Sequence, residues 1–288
     1  MAPRLLIRPS PSRRAVLASH HCASGLQRNG VRLREKGCGV IGLFDSGLGG
    51  LTVLARVRER LPSADVVFFA DQAHVPYGDR PHAELLRLLR ANLARLDEYG
   101  VAAIVMACNT SCAVAERYGW PDSRAPVLDL IESAAMAVER GGFRRVGVVA
   151  TAATVGAGSY GRTLRARIGG VDVVEVPAPA LVPLVEAGRT QGSEARAAVA
   201  EVCAHLPLDL EALVFGCTHY PVLEEHFRSA VGGGVALIDP AIVQAERAAS
   251  LAGAADGEGR TLYVTSGDEA TFLANIARIM DEPRRIAR

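Results

Sequence analysis

From Val40 onward, short apolar runs alternate with stretches whose apolar residues recur every three or four positions. Nine of the runs read as strands, at 40–44, 66–70, 103–107, 127–130, 145–150, 171–176, 212–215, 235–238 and 262–264. Stretches such as 83–99 and 194–205 carry the helical period instead. Strands rich in β-branched residues, alternating with such helices, predict right-handed βαβ units and parallel sheets. Residues 1–37 show no sustained period. They hold seven arginines, several serines and a single acid, Glu35. That composition suits an organelle transit peptide, or an unstructured extension, including one created by a start codon set too far upstream. The disordered extension is the plainer reading and is the expectation here.

The pattern also repeats. IGLFDS at 41–46 lines up with VGVVAT at 146–151, an offset of 105 residues. VMACNT at 105–110 lines up with VFGCTH at 214–219, an offset of 109. Two landmarks in the same order at nearly the same offset predict two similar, pseudo-symmetric α/β domains with a cleft between them.

Composition narrows the function. The 288 residues are 49% hydrophobic, enough for one large core or two smaller ones. Lys plus Arg is 32 against 31 for Asp plus Glu, a net charge of +1 that leaves no footprint for nucleic acid or an anionic membrane. No apolar run approaches the ~20 residues needed to span a bilayer. Six cysteines without a C-x-x-C pair fit reduced thiols in a cytoplasmic protein better than a disulfide framework. One count excludes most. Lys36 is the only lysine, and it precedes the first globular segment. A pyridoxal phosphate Schiff base and a Walker-type phosphate loop each need their own lysine, so neither is expected.

Ligands of open parallel sheets bind beyond the carboxyl ends of the strands. Polar residues stand at five such places: Asp45-Ser46-Gly47, the segment 71–80 with Tyr77-Gly78, Cys108-Asn109-Thr110, 151–154, and Cys217-Thr218-His219. The glycines at 47, 49 and 50 do not form G-x-G-x-x-G, which weakens a dinucleotide reading. Cys112 and Cys203 lie in helical patterns and read as small buried residues, and Cys22 and Cys38 fall in or beside the extension. Taken alone, His219 could satisfy a backbone carbonyl and Glu186 could be an exposed helix carboxylate. Cys108 and Cys217 differ because they are equivalent in the repeat. Each follows a buried strand and precedes a helix start, where backbone N–H groups are expected to lower a thiol pKa. Facing each other across a cleft, one thiolate would remove a proton from a carbon while the opposing thiol delivers one to the other face. That inverts a stereocentre.

The same residues resemble a known family. VIGLFDSGLGGLTV at 40–53, DQAHVPYGDR at 71–80, ACNTS at 107–111, LVPLVEAG at 181–188, FGCTHYPVL at 215–223 and LIDPA at 237–241 resemble, in order, the motifs of bacterial glutamate racemases. The resemblance implies cofactor-independent interconversion of L- and D-glutamate, supplying D-glutamate for peptidoglycan. It implies that Cys108 acts on D-glutamate with Asp45 assisting, and Cys217 on L-glutamate with His219 and Glu186. Asp45, Ser46, Tyr77, Gly78, Asn109, Thr110, Thr218 and His219 would hold the amino acid. It further implies a first domain of 38–130 plus 239–288 and a second of 131–238, with strand 262–264 and the last helix packing on the first. A homodimer is compatible with the sequence, which carries no mark of oligomeric state. The family's third-strand motif often continues CNTA, then Thr or Ser, then Ala. Here it reads CNTSCA, intact through Thr110 and unusual behind it.

Three other readings compete. One is a two-cysteine racemase for aspartate or a related acid. Another is a metal module of Cys108, Cys112, Cys217 and His219, whose spacings match structural zinc poorly. The third is a hydrolase using Cys217 and His219. It is disfavoured because residues two apart at a strand end are not expected to aim at each other, and because Cys108 would be left without a role.

Overall fold

In a computed structural model, the described residues are 39–252 and 257–280, preceded by three short strands, Val16–Ala18, Gln27–Arg28 and Val31–Arg32. Two parallel sheets form the framework. The first runs Val16–Ala18, Thr261–Thr265, Val66–Ala70, Ile41–Asp45, Ala103–Met106, Val127–Leu128. The second runs Ala236–Ile238, Ala212–Gly216, Arg145–Ala150, Asp172–Pro177. Strand Ile41–Asp45 is flanked by the next strand in sequence on one side and the next but one on the other, and Arg145–Ala150 is flanked in the same way. The chain therefore builds the same right-handed four-strand order twice, as the repeat predicts.

The buried strands explain themselves. Val66-Val-Phe-Phe-Ala70 and Ala212-Leu-Val-Phe-Gly216 are buried at every position, because helices cover both faces of each sheet. Helices Gly50–Arg60, Pro240–Ala252 and Glu269–Met280 cover one face of the first sheet, with Phe68, Tyr263 and Phe272 packed together beneath them. Strand Thr261–Thr265 thus returns the chain to the first sheet after the second is complete. Gln244, fully buried on the returning helix, donates to the carbonyls of Met106 and Leu128 and accepts from the Ser133 hydroxyl. One side chain so ties two strand ends to helix Leu130–Gly141, the connection into the second sheet.

Short strands are described at the amino terminus. Val16–Ala18 pairs in parallel with Leu262–Val264, and Gln27–Arg28 pairs antiparallel with Val31–Arg32. The outer edge of Thr261–Thr265 offers unpaired backbone groups that a three-residue strand can use, and a run so short shows no period in sequence. The rest of 1–38, with Cys22 and Cys38, lies outside the described residues, as do 253–256 and 281–288. Among the described residues no helix is long and apolar enough to cross a membrane.

Candidate active site

Strand ends of both sheets converge on one cavity of about 260 Å³. Each expected site residue lines it: Asp45, Ser46, Tyr77, Gly78, Cys108, Asn109 and Thr110 from the first sheet's side, and Glu186, Cys217, Thr218 and His219 from the second. Its size is just below the ~300 Å³ at which small-molecule sites usually begin, and suits a metabolite rather than a polymer.

Each half is locally determined. Ile41–Asp45 ends in a carboxylate whose Oδ2 accepts from the N–H groups of Gly47 (3.1 Å) and Gly50 (2.7 Å), at the entry to helix Gly50–Arg60. A Cβ on Gly50 would stand 2.6 Å from the Asp45 Cβ, so the glycine permits this turn. Burial lifts the Asp45 carboxyl above the usual carboxylate range, against the charge of His219 and the amides of Gly50, Gly47 and Ser46. Cys108 is the N-cap of helix Asn109–Tyr118. Its thiol donates to Ser46 Oγ at 3.6 Å and its sulfur accepts from Ser111 Oγ at 3.3 Å. The lowered thiol pKa expected at a helix start is not found at Cys108. Burial, and then the neighbouring Asp45 charge, push it up to about 11, with Ser111 and Ser46 opposing. The desolvation of a closed cavity outweighs a few aligned N–H groups.

Cys217 follows strand Ala212–Gly216, and its sulfur lies 3.6 Å from His219 Nδ1. The two residues do aim at each other, contrary to expectation, because the chain turns at once into the short helix Tyr220–Leu223. His219 Nε2 stands 3.3 Å from Glu186 Oε1, a charge pair that lies off the N–H direction. Burial alone would favour neutral imidazole. The contacts with Cys217 and Glu186 outweigh it and raise the His219 pKa to about 10, so the ring is an imidazolium at neutral pH. Glu186 is 42% exposed yet reaches the cavity, which sets it apart from an ordinary helix carboxylate.

The remaining residues are braced from behind. Tyr160, fully buried, donates to Oδ1 of Asn109, a residue of the cavity lining. Thr110 Oγ1 meets Thr151 Oγ1 at 3.0 Å, and Thr154 joins both, so the hydroxyls of the two halves bond across the cavity floor. Thr151 itself lines the cavity. Its segment was legible as a polar strand end, but nothing marked it as a site residue; its equivalence to Ser46 in the repeat was the available signal. Tyr77 donates to Asp71, a buried carboxylate that also accepts from Asn92, Ser266 and His74. Those hydrogen bonds outweigh burial and hold Asp71 below its ordinary pKa, which fixes the loop presenting Tyr77 and Gly78. Cys112 is wholly buried and Cys203 half-buried, away from the cavity lining. Among the described residues no group of three or more His, Cys, Asp or Glu side chains is arranged to hold a metal ion.

Two sulfurs from equivalent strand ends thus share one small cavity with an acid beside one and an imidazolium beside the other. A family model described as Asp/Glu/Hydantoin racemase matches residues 52–248. The chain belongs to this family. Among relatives of the Asp/Glu/Hydantoin racemase family, the glutamate racemase of Gloeobacter violaceus is 43% identical over 237 residues, 81% of this chain and 89% of that protein. The crystal structure of Thermus thermophilus glutamate racemase in complex with β-chloro-D-alanine superposes with a TM-score of 0.75 at 37% identity, covering 85% of this chain and 94% of that one. The Francisella tularensis glutamate racemase in complex with D-glutamate gives a TM-score of 0.76 at 27% identity, covering 84% and 94%.

Proposed function

We propose that this protein is a glutamate racemase that works by two opposed cysteine bases, without pyridoxal phosphate, nucleotide or metal. The observation that carries the reading is that Cys108 and Cys217, equivalent in the repeat, line the same cavity. With D-glutamate bound, the Cys108 thiolate takes the α-proton and becomes a thiol. The electron pair left on the α-carbon spreads into the α-carboxylate, which hydroxyl, amide and backbone donors in the cavity stabilise. The Cys217 thiol then gives its proton to the opposite face and becomes a thiolate beside the His219 imidazolium. L-glutamate runs the same steps in reverse. Asp45 assists proton movement at Cys108, and Glu186 acts through His219. The residues 38–130 with 239–288, and 131–238, are the two domains that carry one sulfur each. D-glutamate made in the cytoplasm supplies peptidoglycan synthesis. A hydrolase could use the Cys217–His219 pair, but it leaves the second sulfur idle.

Replacement of each cysteine tests the mechanism. Cys108→Ser and Cys217→Ser should each abolish racemisation of glutamate, since a serine hydroxyl is too weakly acidic to serve as the anion at neutral pH. Elimination from a 3-chloroglutamate needs only the abstracting base. Cys217→Ser should therefore keep elimination from the D-configured analogue, and Cys108→Ser from the L-configured one. Full racemisation by either mutant, or equal loss of both eliminations in both folded mutants, overturns the opposed-base reading. Measuring inversion of aspartate alongside glutamate decides the substrate.

A further inference from the structure

Ser111 lies one helical turn beyond Cys108, and its side chain is completely buried. A buried hydroxyl is costly unless it is hydrogen-bonded. Serines inside helices ordinarily solve this by donating back to the carbonyl four residues earlier. Ser229 and Ser250 do so, to Glu225 and Glu246. Ser111 does not. Its hydroxyl turns to the Cys108 sulfur at 3.3 Å and has no other partner among the described residues.

We propose that Ser111 is a positioning residue for Cys108, donating a hydrogen bond that aims the sulfur at the cavity and stabilises its thiolate form. Alanine at this position would leave the thiolate only the Ser46 hydroxyl and the backbone N–H of residue 111. The cavity is too closed to bring in water as a substitute donor behind the sulfur, since Ser111 and Cys112 there are both wholly buried. The direction agrees with the opposing influence of Ser111 on a thiol that burial otherwise drives upward. As a catalytic statement the proposal rests on Cys108 being the base. As a statement about the sulfur it does not, and the two can be tested separately.

Ser111→Ala removes one oxygen and adds nothing, so the fold should persist. The first measurement is the rate of carboxamidomethylation of Cys108 in the native full-length protein as a function of pH, read by mass spectrometry, with Cys217 in the same molecule as the control. Losing a hydrogen bond to a charged sulfur should cut the thiolate fraction about 10-fold. The more basic sulfur is also the better nucleophile, which leaves Cys108 alkylation about 3-fold slower at each pH below its pKa. The Cys217 rate should not move. The second measurement is elimination from the D-configured 3-chloroglutamate, which should fall about 3- to 10-fold and shift its pH profile upward by about one unit, while elimination from the L-configured analogue stays within about 2-fold. An unchanged alkylation profile at Cys108, or an equal change at both cysteines, overturns the proposal. A selective shift in alkylation with no racemisation in the wild-type protein would uphold the role of Ser111 while overturning the functional reading.

Discussion

Gly49 tests how tightly the two halves of the site are fitted. It lies at the start of helix Gly50–Arg60 with φ −58° and ψ −34°, a conformation alanine adopts without strain. Yet a Cβ built there would stand 2.5 Å from Thr218 Oγ1 and 2.6 Å from His219 Cε1 and Nδ1. Carbon contacts settle at about 3.5 Å or more, so Gly49→Ala has to push the Thr218-His219 corner away by roughly 1 Å. Overpacking of this kind costs about 1–3 kcal/mol, and the entropy that alanine removes from the unfolded chain returns about 0.4–1 kcal/mol. The protein should stay folded. Catalysis is more demanding, because a 1 Å misplacement of reacting groups can cost about 100-fold. The expected result is a racemisation rate lower by about two orders of magnitude, with a melting temperature within several degrees of wild type. Circular dichroism follows both quantities. Gly156→Ala, where a Cβ meets nothing within 4 Å, is the control and should leave the rate unchanged. A folded Gly49→Ala protein with racemisation within about 2-fold of wild type would refute the idea that this close approach sets the second sulfur's surroundings.

Two further outcomes follow from buried polar groups. Gln244→Leu strands the carbonyls of Met106 and Leu128, so stability should fall by about 2–4 kcal/mol, a drop in melting temperature of roughly 5–10 °C; an unchanged melt would show that the tie is dispensable. The His219 pKa is raised in the folded protein from an ordinary 6.5 to about 10, so its contribution to stability is complete below pH 6.5 and is lost as pH rises through about 10. Urea unfolding across that range should show a decline in wild type that His219→Gln lacks, and parallel declines in the two proteins would contradict the charge pair.

Much of this architecture was legible in the residues because apolar runs and turn-forming ends report directly on buried parallel strands. All nine expected strands form, with shifts of a residue or two at their ends, as at Asp172–Pro177 and Val127–Leu128. Most of the cavity lining was legible for the same reason, since it follows strand ends, where the fold class itself predicts ligands; Glu186, which closes helix Leu181–Glu186, was singled out only by the family resemblance. What was hidden depends on direction and enclosure. No spacing shows that the Ser111 hydroxyl turns toward sulfur rather than toward a carbonyl, or that the chain after Gly216 bends enough to bring His219 back onto Cys217. The raised pKa of Cys108 was equally hidden, since a helix start is visible in sequence and the surrounding dehydration is not. Val16–Ala18 escaped because three residues carry no period, and its partner strand lies about 245 positions away.

A racemase must treat mirror images alike, and a chain of L-residues cannot fold into its own mirror image. The duplicated strand order supplies what is geometrically available, the same right-handed unit used again in another orientation. Where the substrate needs a reflection, the protein offers only a rotation, and the two halves have to differ in chemistry: Asp45 stands where the other half has Ala150, and Thr110 where it has His219. Enantiomers have equal free energy in water, so kcat/KM is obliged to be the same in both directions. The chemical inequality between the halves can therefore surface only as paired changes in kcat and KM, with one enantiomer held more tightly and turned over more slowly in the same proportion.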